Sequence, residues 1–176
     1  LAHNGEINTL KGNINWMSAH EPRITHPFFN ERINDLKPIL DPDASDSASL
    51  DAAFELFVQT DRDMPMAKSM IIPESWSNRS DLSDQLKAMY AYCNAVIEPW
   101  DGPAAVCGNF GEWIISGMDR NGLRPLRYIL TDDDLLISGS EVGMINIDEK
   151  NITKKGRVGP GELLSLIHIS EPTRQL

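Results

Sequence analysis

Cysteine is almost missing from this chain: Cys93 and Cys107 are all it has, too few for a disulfide scaffold and without the paired spacing of a zinc site. That scarcity fits a reducing compartment. Positive charge is short too, with 16 Lys and Arg against 26 Asp and Glu and a net charge of −10. Such a balance repels phosphate backbones and anionic membranes, which argues against nucleic acid or a membrane as partner. No apolar run is long enough to span a bilayer, and the start does not read as a secretory signal. His3, His20 and His26 lack metal-ligand spacing and read as loop and packing residues. Internal repeats and low-complexity tracts are absent as well.

What is present is an ordinary globular composition, 41% hydrophobic and 24% charged over 176 residues, enough for one domain or part of one. Part is the expectation. The chain opens on Leu1 and its densest motif begins at once, so an upstream start is expected to be missing.

Ile7, Leu10, Ile14 and Met17 recur at three and four, predicting an amphipathic helix that ends near Glu21-Pro22. Pro22, Pro27, Pro38 and Pro42 then mark a loop with one short helix around Asn30 to Leu36. Ser45-Asp46-Ser47 offers N-cap chemistry to a second helix, whose Leu50, Ala53, Phe54 and Phe57 share a face and whose end falls at Thr60 or Asp61. A third helix is expected from Ser80-Asp81 to Pro99, with Leu82, Leu86, Met89, Tyr90, Cys93 and Ile97 at helical spacing. Beyond it the period changes. Ala104 to Cys107, Trp113 to Met118, Tyr128 to Thr131, Leu135 to Ser138 and Glu162 to Ile167 read as strands separated by Gly, Asn and Asp turns. Asn121-Gly122 predicts a type I′ hairpin turn, and Asp132-Asp133-Asp134 a solvated turn rather than a cation loop. Helices first and strands afterwards argue an α+β fold.

The opening His3-Asn4-Gly5-Glu6-Ile7-Asn8-Thr9 sets an amide side chain beside a glycine. An Asn NH₂ and a neighbouring backbone N–H can converge on one point, as acyl transfer requires where a tetrahedral oxyanion develops. Asn-Gly is equally a common turn, and the dipeptide alone favours that reading. Asp46, taken alone, reads as a helix cap.

The match extends well beyond a dipeptide. The run Leu1-Ala-His-Asn-Gly-Glu-Ile-Asn-Thr-Leu-Lys-Gly-Asn-Ile-Asn-Trp-Met17 resembles the glutaminase domain of the glutamate synthase large subunit, a class II glutamine amidotransferase. In order along the chain the same likeness is carried by Ser45 to Asp51, Ile72-Pro-Glu-Ser-Trp76, Glu98-Pro-Trp-Asp-Gly-Pro103, Asp119 to Tyr128, Ser140-Glu-Val-Gly143 and Gly159-Pro-Gly-Glu162. The Asn-Thr-Leu-Lys-Gly-Asn continuation and the Glu-Pro-Trp-Asp-Gly-Pro block favour glutamate synthase over asparagine synthetase or the purine-pathway transferase.

The resemblance implies an N-terminal-nucleophile αββα sandwich, incomplete because its N-terminal part is missing. It implies a cysteine nucleophile that attacks the glutamine amide, with Asn4 as the side-chain oxyanion donor, Gly5 as the backbone donor and Asp46 as the carboxylate that holds the substrate's α-ammonium. Cys93 on a helix face and Cys107 in a strand are expected to be core thiols, and neither is N-terminal. The family's upstream arginine for the substrate carboxylate has no counterpart here. The fragment alone is therefore expected to be inactive.

The implied parent passes ammonia to 2-oxoglutarate, and its FMN, iron–sulfur cluster and NADPH or ferredoxin belong to other domains, with no cofactor in this fragment. Its implied partners are glutamine, the remaining domains of the same chain and a small electron-donating subunit; its implied compartment is the cytoplasm, or a plastid in a plant or alga. A non-catalytic glutamine-binding or scaffold module of the same fold is the rival reading. The amidotransferase part is expected to cover residues 1–164. Residues 165–176 resemble translated adaptor sequence and are expected to be a non-native tail.

Overall fold

The computed structural model describes residues 1–167 and 173–175. Its helices are α1 (Leu10–His20), α2 (Asp46–Gln59), α3 (Met64–Ile71) and α4 (Asp84–Val96), with short 3₁₀ turns at Glu21–Arg23, Asn30–Leu36 and Glu149–Asn151. Its strands are β1 (Ala2–Gly5), β2 (Ala104–Phe110), β3 (Trp113–Met118), β4 (Arg127–Thr131), β5 (Leu136–Gly139), β6 (Ile152–Arg157), β7 (Leu163–Ile167) and β8 (Thr173–Gln175). They form a five-stranded sheet in the order β1-β2-β3-β7-β8 and a three-stranded sheet in the order β5-β4-β6. Every pairing is antiparallel.

Three layers follow from where the apolar residues point. Leu50, Ala53, Phe54 and Phe57 of α2 with Ala67, Met70 and Ile71 of α3 pack on Ala104, Val106 and Ile115 of the larger sheet. Side chains alternate along a strand, so Ala105 and Met118 point the other way. There, with Leu164, they meet Leu126, Val158 and the partly buried Tyr128 and Leu136 of the smaller sheet's side. The larger sheet is thus covered on both faces, in a helix, sheet, sheet order.

Local sequence explains most boundaries. Ser45, Asp63 and Ser83 cap α2, α3 and α4, their side chains accepting the N–H of Ala48, Met66 and Leu86. The third predicted helix therefore starts at Ser83 and not at Ser80. Ile7 lies ahead of α1 but is buried all the same. Three strands, β1, β6 and β8, and one α-helix, α3, had no sequence expectation. β1 is four residues long, β6 (Ile-Thr-Lys-Lys-Gly-Arg) is polar with a single apolar residue, and α3 has eight residues.

The Asn121-Gly122 hairpin is corrected. β3 pairs with β2 and β7, and β4 with β5 and β6, so residues 119–126 cross from one sheet to the other. Gly122 has φ +68, whereas Asn121 is not among the non-glycine residues of positive φ, so the type I′ geometry does not form. The acidic turn at 132–134 does join β4 to β5, with Asp134 at φ 66. β7 continues past Leu164, setting Ser165, Leu166 and Ile167 opposite Ile115, Ile114 and Trp113. Residues 168–172 and 176 of the expected tail lie outside the described residues.

Candidate active site

The opening motif folds as an edge strand and a turn, and the Glu98 to Pro103 block folds onto it. Asn4 and Gly5 pair with Ala105 and Ala104. Past the strand, Glu6 N–H donates to the Pro103 carbonyl at 2.9 Å and Asn8 N–H to that of Asp101 at 2.8 Å. The chains approach so closely that glycine is required twice. A Cβ on Gly5 would overlap the Pro103 carbonyl oxygen, and one on Gly102 would overlap that of Glu6.

Asp46 joins this turn to the start of α2. Ser45 caps the helix through its Oγ, 3.2 Å from Ala48 N–H, which leaves the Asp46 carboxylate to reach outward. Its Oδ2 accepts Ile7 N–H at 3.0 Å and its Oδ1 accepts Ser47 N–H at 2.7 Å. The capping reading of Asp46 is thus taken over by Ser45, and the Asp46 carboxylate is bonded to Ile7, two residues past Gly5. Ser47 Oγ adds a third, longer bond to Oδ1 at 3.4 Å; a carboxylate has about four acceptor positions, so capacity remains, and the side chain is 24% exposed. Burial pushes the Asp46 carboxyl up, but the N–H groups of Ile7 and Ser47 and the nearby His3 outweigh it and hold the acid below its ordinary value. The exposed Asn4 amide donates to Ser140 Oγ at 3.2 Å, which brings the start of the Ser140 to Gly143 segment against Asn4.

Of the loop and packing roles expected for the histidines, His3 has the packing one. It sits in β1 with its ring 1% exposed, Nδ1 3.0 Å from Ser47 Oγ and 3.9 Å from Asp46 Oδ2. His20 and His26 are held by Glu98 at 3.1 Å and Asp61 at 3.2 Å. Cys93 is buried in the main core, and burial pushes its thiol up. Cys107 is only partly buried and lies 3.0 Å from Ser116 Oγ, which in turn lies 2.8 Å from Ser138 Oγ.

Asp119, which opens the Asp119 to Tyr128 segment and reads in the sequence only as part of a structural Asp119-Arg120-Asn121-Gly122 turn, organises the crossing loop next to β2. Fully buried, it accepts four backbone N–H groups, those of Asn121 and Leu123 on Oδ1 and those of Ala104 and Arg124 on Oδ2. Burial works against its charge, and those four donors hold the carboxyl below its usual range. Lys68 of α3 is buried near it, and desolvation lowers the amine to about 8 against the pull of Asp119 and Glu74. Glu74, also buried, pairs with Arg79 at 2.5 Å. A lone Asp or Lys in a sequence carries no mark of burial. Among the described residues no three His, Cys, Asp or Glu side chains are grouped to hold a metal ion, and no helix is long and apolar enough to cross a membrane.

Residues 1–172 match the family model described as Glutamine amidotransferases class-II. The chain is 53% identical over 166 residues to the Glutamate synthase [NADPH] large chain of Azospirillum brasilense, covering 94% of this chain and 11% of that protein. It is 47% identical over 171 residues to the protein of that name from Bacillus subtilis, covering 97% of this chain and 11% of the relative. It is 43% identical over 169 residues to the Ferredoxin-dependent glutamate synthase 2, chloroplastic, of Arabidopsis thaliana, covering 94% of this chain and 10% of the relative. The chain thus spans about a tenth of the length of these relatives.

Proposed function

The chain belongs to the class-II glutamine amidotransferases, and from that membership we propose that it forms part of the glutaminase domain of a glutamate synthase large chain, with Asn4, Gly5 and Asp46 in its glutamine site. The observation that carries this reading is Asp46: its carboxylate is ionised, spared from helix capping by Ser45, and held at the turn that follows Asn4 and Gly5. An anion fixed there suits the α-ammonium of an amino-acid substrate.

In this reading a cysteine thiolate supplied from outside residues 1–176 attacks the amide carbon of glutamine, assisted by its own α-amine as base. The S–C bond forms as the carbonyl electrons move to oxygen, where the Asn4 amide and Gly5 N–H stabilise them. The C–N bond then breaks, the nitrogen takes up a proton and ammonia leaves; water cleaves the glutamyl thioester to glutamate. Cys107 and Cys93 take no part, so the chain alone is inactive.

The parent passes the ammonia to 2-oxoglutarate, using FMN, an iron–sulfur cluster and NADPH or ferredoxin held on other domains, with a small electron-donating subunit as a further partner. The donor set here does not fit those groups, since the two cysteines lie apart on α4 and β2. The compartment is that of the parent, the cytoplasm or a plastid.

The test is ammonia release. In the full-length parent, Asn4→Ala lowers kcat roughly 10²-fold, the usual effect of removing one oxyanion donor. The isolated chain releases none. An unchanged kcat takes Asn4 out of the site, and hydrolysis by the isolated chain that vanishes on mutating Cys93 or Cys107 overturns the reading.

A further inference from the structure

Arg127 opens β4 and Arg157 closes β6, and the two stand directly opposite each other in the ladder. Like charges facing across an antiparallel pair destabilise it. In a chain of net charge −10 such a pairing is easily avoided. Arg124 joins them, and the three line one cavity of about 440 Å³ between residues 122–127 and 157–160, whose lining includes no carboxylate. Among the described residues Arg127 has one long ion-pair contact, 3.9 Å to Glu141, with the two side chains 46% and 73% exposed. Among the described residues no acid lies within ion-pair distance of Arg124 or Arg157.

The walls are built, not loose. Asp119 Oδ2 accepts the Arg124 N–H at 3.0 Å, and Val158 N–H donates to the Leu126 carbonyl at 2.9 Å, tying one wall to the other. Leu126 and Val158 are buried beneath the arginines. The base is therefore apolar and fixed, and the charged rim holds repulsion that an anion would relieve.

We propose that this cavity binds a small multivalent oxyanion, a phosphate or a polycarboxylate, through Arg124, Arg127 and Arg157. The guanidinium fork matches both kinds of oxyanion with paired N–H donors. Three arginines lining one cavity favour a group that carries more than one negative charge, because a single charge leaves most of the arginine repulsion in place. The site stands apart from the glutamine reading and does not depend on it.

The experiment measures thermal unfolding and titration calorimetry of the 176-residue chain in chloride, inorganic phosphate and citrate at matched ionic strength. Phosphate or citrate raises Tm saturably, and the stronger of the two identifies the ligand class. Arg157→Gln and, separately, Arg124→Gln each weaken that binding by roughly tenfold, the loss expected for a charge-assisted hydrogen bond. Arg157→Gln leaves Tm in chloride unchanged or higher, because it removes the opposed charge. Arg32→Gln, whose partner is Asp35 on a remote turn, leaves the anion response intact. The proposal is overturned if neither anion shifts Tm beyond chloride, if the shift survives both substitutions, or if Arg157→Gln lowers Tm in chloride. Since Arg124 and Arg157 lie on different segments, one variant that fails to fold leaves the other decisive.

Discussion

The carboxylate of Asp46 accepts the backbone N–H of Ile7 at 3.0 Å across 39 positions of sequence. One bond of this kind ties the turn after β1 to the first residue of α2, and Ser45 makes it possible by taking the capping role. The capping and site roles are therefore separable by mutation. In the full-length parent, Asp46→Asn lowers kcat/KM for glutamine by about tenfold or more, as expected for loss of a charge-assisted contact, with little change in Tm. Ser45→Ala does the reverse, costing about 1 kcal/mol of stability with glutamine kinetics preserved. An Asp46→Asn protein that loses Tm and keeps its kinetics returns Asp46 to a structural role.

Asp119 is expected to dominate the stability of the sheet crossing. Asn in its place keeps one acceptor oxygen but turns an NH₂ group toward two of the four backbone donors. Two buried N–H groups without acceptors cost roughly 3 kcal/mol, measurable by urea unfolding. Its depressed pKa gives an acid signature too. The stabilisation is present above the ordinary value of 3.8 and is lost as pH falls through the lower folded value. An Asp119→Asn protein as stable as the parent chain at pH 7, with the same acid limb, would falsify this role.

Lys68 should show itself on the alkaline side. Its folded pKa, about 8, lies below the ordinary 10.5, so between these values the unfolded chain binds the extra proton and stability rises with pH. The full rise is about 3 kcal/mol. Cys93 and Tyr90, whose pKa values burial raises from 9.0 and 10.0, pull the other way at higher pH. The informative quantity is thus the difference from Lys68→Met, which has no such rise. Parallel stability–pH curves for the two proteins would show that Lys68 does not titrate in this range.

Residues 165–176 offer a further measurement. β7 runs on to Ile167 along the edge of β3, but an open strand edge recruits a neighbouring apolar segment whatever its origin. Deletion of Ser165 to Leu176 removes the end of β7 together with β8, which pairs with it through Thr173–Gln175, and is expected to cost less than about 2 kcal/mol, because two short ladders at the margin of the sheet gain little beyond the entropy of ordering them. A larger loss in urea unfolding makes the segment native structure and moves the domain boundary beyond Leu164.

The sequence by itself determined what local chemistry can encode. α2 starts where Ser45-Asp46-Ser47 said it would, the 3₁₀ turn at Asn30–Leu36 lies inside its proline-rich loop, and β2, β3, β4, β5 and β7 fall on the apolar segments set apart by turn residues. Helical spacing and strand alternation are properties of neighbours along the chain, so they survive without a structure. The ordered motifs likewise carried the amidotransferase likeness before any fold was seen.

Only the tertiary structure decided the rest. Asn121-Gly122 has the composition of a hairpin, yet its flanking strands find better partners in two different sheets. β6 has too few apolar residues to announce itself and is a strand because β4 offers it an edge. Asp46 looked like a cap until Ser45 proved to fill that place, and Asp119, Lys68 and Glu74 became important only when folding removed them from water. Arg127 and Arg157 are 30 positions apart in sequence and become opposed only in the register of β4 with β6. The physical reason is common to all of these: burial, partner choice and charge proximity are properties of pairs distant in sequence, and the chain alone records only one member of each pair at a time.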